Sequence, residues 1–243
     1  MKIGILTFHS AFNFGAVLQC HGLYEIIKKM GHEVHVIDYR PNYLCFSRPT
    51  LGIGSFVKHP CRVLKALPFV FSYRKHFDRF VDFIGSNWTL SELIRTPEEL
   101  SGLITQYDLI VVGSDQVWNV KHNGNDGVWY GILENSKSTR WISYAASAGD
   151  CFVDTENDKH ANALIQFSHI AVREQKLNNE LTQKIGRLDI KTVLDPTLLA
   201  TNDIWRKWFY RKIKGRYIVV YQARADDNVF RISSELSKQL GVD

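Results

Sequence analysis

Short apolar runs alternate with amphipathic stretches along most of this chain. Lys2 to Phe8 is a compact, mainly apolar run and reads as a first strand. A helix is predicted from about Ala16 to Met30, with Val17, Cys20, Tyr24 and Ile27 on one stripe and Leu23 and Met30 beside it. Gly31 supplies its stop. Glu33 to Asp38 then reads as a second strand. Strand, helix and strand in this order form a βαβ unit, which implies a right-handed crossover and parallel pairing.

The same alternation continues. Strands are predicted at Tyr107–Val112, Trp141–Ala146, His169–Arg173 and Lys191–Asp195, with a helix over about Glu174–Ile185. Between the second and third strands, Pro41, Pro49, Pro60 and Pro68 with Gly52 and Gly54 mark an excursion from the sheet. An aromatic helix starts at Tyr73 and carries Phe77, Phe80 and Ile84. Residues 201–216 read as a basic connecting helix and linker bearing Trp205 and Trp208. Arg216–Tyr221 then reads as a new buried strand, Val229–Leu240 as its helix, and Gly241-Val242-Asp243 as the start of a further strand. The fold class is α/β with a parallel sheet. Residues 1–200 form a first domain, and 201–243 a linker and the opening of a second, incomplete one.

The composition, 45% hydrophobic and 23% charged over 243 residues, is that of an ordinary globular protein. The net charge of +5 suits an anionic small molecule, but the basic residues do not cluster as a nucleic-acid footprint does. Cys20, Cys45, Cys61 and Cys151 show neither a CxxC pair nor metal-ligand spacing, and read as free thiols; no metal site is expected. The chain enters its first strand at once, with no signal h-region and no run of membrane-spanning length. The expected compartment is the cytoplasm. The basic aromatic stretch Lys58–Arg79 has two readings: a peripheral contact with the inner face of an anionic membrane, or a helix packing its aromatic stripe on the sheet.

Polar chemistry gathers where the predicted strands end. Leu109–Asn119 reads Leu-Ile-Val-Val-Gly-Ser-Asp-Gln-Val-Trp-Asn, a buried strand running into a polar loop. In open α/β sheets such carboxyl-end loops hold the ligands. Asp115, Ser114 and Gln116 can orient a polyol or phosphate-bearing ligand with Trp118 as an apolar wall; alternatively Asp115 caps a helix and Trp118 is core. The first loop, His9–Gly15, lacks the glycines of a dinucleotide fingerprint despite Asp38 downstream, so no nucleotide cofactor is expected. The following helix still offers free N–H groups, with Asn13 and Gly15 beside them. Ser147 follows a third strand end. Arg173 closes a fourth, where a guanidinium matches a carboxylate or phosphate. His9 at the loop mouth is an acid–base candidate, whereas His21, mid-helix, reads as structural.

Six segments together resemble the polysaccharide pyruvyl transferase family: Thr7–Gln19, Ile37–Pro41, Gly113–Asn119, Ser143–Ser147, Val172–Glu174 and Val193–Leu199. The resemblance implies two Rossmann-like domains in a GT-B-like arrangement. It implies transfer of a pyruvyl group from phosphoenolpyruvate to a sugar of a surface polysaccharide as a ketal, with a glycan or lipid-linked oligosaccharide as acceptor. By that likeness Arg173 binds the donor anion, and Asp115 or His9 serves as acid or base. Family members extend beyond this length with a further basic, histidine-containing motif, so the second domain is expected to be truncated. A glycosyltransferase using a nucleotide sugar and a non-catalytic glycan-binding remnant remain the alternatives.

Overall fold

The computed structural model describes residues 1–44, 60–150, 158–208, 214–222 and 226–242; of the side chains at 60–73 and 158 nothing is said. The chain divides into two compact units, Met1–Ile204 and Trp205–Asp243.

The first unit is built on four parallel strands: β1 (Lys2–Leu6), β2 (Glu33–Val36), β3 (Leu109–Val112) and β4 (Arg140–Ser143), in spatial order β2-β1-β3-β4. The register sets Ile5 opposite both Val36 and Val111. Side chains alternate across a strand, so each apolar run feeds two cores. Ile3, Ile5, Leu109 and Val111 enter one cluster with Val17, Cys20 and Leu23 of helix α1 (Phe14–Lys29). Leu6, Ile110 and Val112 enter the opposite cluster with Ile37, Trp118 and Trp129. The continuous apolar run at 109–112, buried at every position, is therefore what a strand covered on both faces requires.

Helix α1 starts two residues before the predicted Ala16, because Asn13 caps it and accepts from Ala16 N at 3.3 Å. The excursion after β2 is corrected in part. Helix α2 runs Pro60–Asn87, beginning well before Tyr73 and passing through Pro68, a residue that reads as a breaker. Cys45, Pro49, Gly52, Gly54 and Cys151, and the side chains of Lys58, Cys61 and their neighbours to 73, on which the sequence raised expectations, lie outside the described residues. From Arg74 onward the aromatic stripe packs inward: Phe80, Ile84 and Trp88 join the α1 cluster, and the Phe77 ring lies 4.2 Å from that of Phe12. No described helix is long and apolar enough to cross a membrane.

Helix α3 (Pro97–Leu103) precedes β3, with Thr96 and Glu99 closing a capping box. After β4 come α4 (Asp158–Ala163), β5 (Ala171–Val172), α5 (Gln175–Ile185), β6 (Lys191–Thr192) and α6 (Pro196–Leu199). Strands β5 and β6 pair in parallel as a two-stranded sheet, and single bridges at Ile142–His169 and Ala146–Val172 tie β4 to the β5 segment.

The second unit contains helix α7 (Asp227–Leu240), capped by Asp226 at its start and by Gly241 in the left-handed region at its end. Its apolar residues Phe230, Ile232, Leu236 and Leu240 are exposed. The strand expected at Arg216–Tyr221 is not formed: residues 216–222 carry no ladder, and Val219 and Tyr221 are 76% and 90% exposed. A buried strand needs neighbours for both its backbone and its side chains, and no ladder among the described residues includes this segment.

Candidate active site

β1 is central, and the chain leaves it on one side for β2 and returns on the other for β3. The carboxyl ends of β1 and β3 therefore flank a topological switch point, the place where open α/β sheets bind ligands. A cleft of about 550 Å³ opens there. The β1 loop and α1 give it Asn13, Gly15 and Gln19; the β3 loop gives Asp115, Gln116, Lys121 and His122; the residue after β5 gives Arg173.

The β3 loop is held against the β4 end by its backbone. Gly113 has φ +112°, and a Cβ there would meet the Tyr144 carbonyl oxygen at 2.4 Å, so only glycine lets the chain turn so closely. Ser147 N donates to the Asp115 carbonyl at 2.9 Å, and Trp118 N to the Ser147 carbonyl at 3.0 Å. Arg173 N donates to Ala146 O at 3.0 Å, which brings the β5 end alongside.

Arg173 sits in a network of carboxylates. Its Nε donates to Glu174 Oε1 at 3.0 Å and its Nη1 to Asp195 Oδ2 at 3.2 Å. Burial works against the guanidinium charge, but these two partners outweigh it and hold the pKa above its ordinary value. Asp195 caps α6, accepting from Thr197 N at 2.9 Å and Thr197 Oγ1 at 2.7 Å, and it also accepts from Gln19 Nε2. Burial pushes its carboxyl up, yet those bonds and Arg173 bring it below the usual carboxylate range. Asp115 goes the other way. Burial raises it foremost, and the Asp195 charge adds to that; the Gln116 N–H, Arg173 and His122 oppose without prevailing. Two carboxyls of one network thus shift in opposite directions, Asp115 on the cleft upward and Asp195, bonded to Arg173, downward.

Of the residues singled out from sequence, Asn13, Gly15, Asp115, Gln116 and Arg173 come together on this cleft. Four do not line it. His9 is fully buried, with Nε2 2.7 Å from Asp38 Oδ1 and Nδ1 3.2 Å from the Thr7 carbonyl. Trp118 is corrected from cleft wall to core: it is fully buried, and its indole N–H donates to Trp129 O at 2.9 Å. Ser147 is buried and donates to Glu174 Oε1 at 2.7 Å, which makes it a support for the arginine network. Ser114 is buried with its Oγ unpartnered among the described residues. Asp115 precedes no helix, so the capping alternative also falls; its Oδ1 accepts from Gln116 N at 2.7 Å instead.

Sequence reading did not single out Gln19, Lys121, His122, Glu174 or Asp195. Gln19 had a signal: it lies one helical turn after Gly15 and so shares its face. Asp195 had one too, as the capping residue of Asp-Pro-Thr. Lys121 and His122 lie in irregular backbone, where no period points a side chain.

A family model described as polysaccharide pyruvyl transferase matches residues 13–241. No curated protein and no solved structure matches the chain.

Proposed function

The chain belongs to the polysaccharide pyruvyl transferase family, and from that premise we propose that its cleft takes phosphoenolpyruvate as donor and a glycan hydroxyl pair as acceptor, forming a pyruvyl ketal. The observation that supports this reading is the convergence of Arg173, Lys121, the α1 N-terminus and a buried Asp115, its pKa raised by desolvation, on one cleft. Phosphoenolpyruvate carries a carboxylate and a phosphate, which need guanidinium, ammonium and helix N–H donors. Arg173 spends Nε and one Nη1 hydrogen on Glu174 and Asp195, which leaves three of its five N–H donors for an anion.

In the proposed reaction Asp115 gives its proton to C3 of the enol while a sugar hydroxyl adds to C2. The C2–phosphate bond breaks, and a second hydroxyl of the same sugar closes the ketal. The two hydroxyl protons end on the phosphate and on the Asp115 carboxylate, which restores the acid. His9 is not assigned this role, because it is buried against Asp38 away from the cleft. Residues 205–243 in this reading open a second Rossmann-like domain of a GT-B-like enzyme.

Incubation with phosphoenolpyruvate and a candidate glycan tests the proposal: phosphate release together with a pyruvyl methyl signal on the glycan is expected. Arg173→Ala is expected to weaken phosphoenolpyruvate binding by about tenfold or more, since a hydrogen bond to a charged group contributes about 1.5–3 kcal/mol. Unchanged donor affinity in that variant, with its fold intact by circular dichroism, overturns the assignment of Arg173.

A further inference from the structure

Tyr43 lines the same cleft and is 43% exposed, although its hydroxyl is fully engaged. The hydroxyl donates to Asp126 Oδ2 at 2.8 Å and accepts from the Trp129 indole N–H at 2.8 Å. Asp126 is itself fixed: Tyr39 donates to the same oxygen at 2.5 Å, and Val128 N donates to its other oxygen at 3.0 Å. Trp129, which anchors Tyr43 from behind, is fully buried.

The ring is backed as well as anchored. A Cβ on Gly124 would lie 2.8, 2.8 and 2.9 Å from Tyr43 Cδ1, Cγ and Cδ2. Near-equal distances to three ring atoms place that point over the ring centre, so Gly124 packs flat against one face. Gly124 has φ +63°, a conformation that glycine adopts at no cost, and any side chain there would displace the ring. With one face covered and the hydroxyl spent, the other ring face is the part of Tyr43 left to meet a ligand in the cleft that it lines.

The cleft that Tyr43 lines also holds amides with unused capacity. Asn13 Oδ1 accepts from Ala16 N, which leaves its NH₂ group; Gln116 Oε1 accepts from Asn119 Nδ2, which leaves another. Gln19 Nε2 donates to Asp195, which leaves its Oε1 as an acceptor. A rigid aromatic face that shares a cleft with neutral donors and an acceptor is complementary to a pyranose. The ring C–H groups, slightly positive, meet the negative π face, and the hydroxyls meet the amides.

We propose that Tyr43 is the platform on which the acceptor sugar stacks, with Asn13, Gln19 and Gln116 reading its hydroxyls. This deepens the transferase reading above and rests on it for the identity of the cleft as an acceptor site. The platform is preorganised: Asp126, Trp129 and Gly124 hold the ring before the ligand arrives, so little side-chain freedom is lost on binding.

The experiment titrates the full chain with methyl glycosides of glucose, galactose and mannose, read by saturation-transfer NMR, and separately with phosphoenolpyruvate. At least one glycoside is expected to bind with saturation concentrated on the C–H groups of one ring face. Tyr43→Phe, which keeps the ring, is expected to stay within about threefold in affinity. Tyr43→Leu, which keeps apolar bulk without a π face, is expected to lose about tenfold, the equivalent of 1.4 kcal/mol, while phosphoenolpyruvate affinity moves less than about twofold. Wild-type affinity in Tyr43→Leu overturns the platform, as does an equal loss in Tyr43→Phe, which would assign the effect to the hydroxyl. Donor binding with no glycoside binding also overturns it while leaving the donor reading intact. Tyr43-dependent glycoside binding without any affinity for phosphoenolpyruvate supports the platform and sinks the donor reading. A nucleoside diphosphate that binds through Tyr43 where glycosides do not overturns the sugar assignment.

Discussion

Asp115 and Asp195 belong to one polar cluster, yet their environments pull their protons in opposite directions. Asp195 is wrapped by donors from Thr197, Gln19 and Arg173, whereas Asp115 has a single backbone N–H and is buried. A carboxyl whose folded pKa is raised binds a proton that the unfolded chain releases, so its burial costs stability at any pH above that raised value. Asp115→Asn is therefore expected to raise stability at neutral pH by about 1 kcal/mol, in the range common for relieving a strained functional group. The same change is expected to lower kcat by about 10²–10⁴-fold if Asp115 is the acid of the proposed reaction. The pH profile separates the two effects. In the wild type, kcat falls as pH rises through the raised pKa and the acid is lost, whereas the residual rate of Asp115→Asn lacks that limb. A variant that is neither more stable nor slower removes Asp115 from both roles. The residue types at this site were legible in sequence, because polar side chains clustered after apolar runs. Their directions were not: Ser114 and Ser147 turn inward and Asp115 and Gln116 face the cleft, and no periodicity governs a loop.

Strand ends show why element boundaries shifted inward from the predicted ones. Phe8, Ile37 and Ala146 lie beyond the last ladder residues of β1, β2 and β4, yet all three are buried. Apolar patterning records burial, while a strand is defined by its ladder, and here burial outlasts the ladder by one to three residues. Single backbone bonds hold part of those extensions, Ile37 N to Ile5 O at 2.9 Å and Arg173 N to Ala146 O at 3.0 Å, and side-chain bonding adds to them. His9, after β1, meets Asp38, after β2, at 2.7 Å, and Arg40 Nε approaches the same carboxylate at 2.5 Å. Burial raises the Asp38 carboxyl, but hydrogen bonds and charge from His9 and Arg40 outweigh it, and the net shift is downward. A depressed folded pKa gives stability that is present above the unfolded value of about 3.9 and lost as pH falls through the folded one. Asp38→Asn is expected to cost about 3 kcal/mol at neutral pH, because it takes the carboxylate from a buried His9. Urea unfolding at neutral pH and again below the carboxylate range checks this. The gap between wild type and variant should narrow in acid, and a gap of equal size in both conditions would show that the ion pair is not what joins the strand ends. Helix α2 departs from its expected start for a related reason: Pro68 reads locally as a stop, but the backbone continues helical through it.

At the scale of the molecule, the α/β class and the parallel pairing followed from alternating runs, but the spatial order of the strands did not. Nothing in the spacing of β3 tells whether it joins β2 or returns to β1, and that choice creates the switch point on which the cleft depends. The expected strand at 216–221 failed at this scale also, since a buried apolar run and an exposed one look alike until partners are placed. The division of the chain into Met1–Ile204 and Trp205–Asp243 carries a further consequence. Both apolar clusters lie within the first unit, and no described residue after Ile204 is buried. Every residue named on the cleft, from Asn13 to Arg173, lies there as well. A chain of residues 1–204 therefore loses no described core residue when it loses the rest, and it is large enough to bury the surface that an independent domain requires. It is expected to unfold in urea in one cooperative transition and to bind methyl glycosides within about threefold of the full chain's affinity. A non-cooperative, molten response would mean that residues 205–243 supply stability that burial within the first unit does not account for. Cooperative folding with glycoside binding abolished would instead mean that the acceptor site draws on the second unit, contrary to its assignment to Tyr43, Asn13, Gln19 and Gln116.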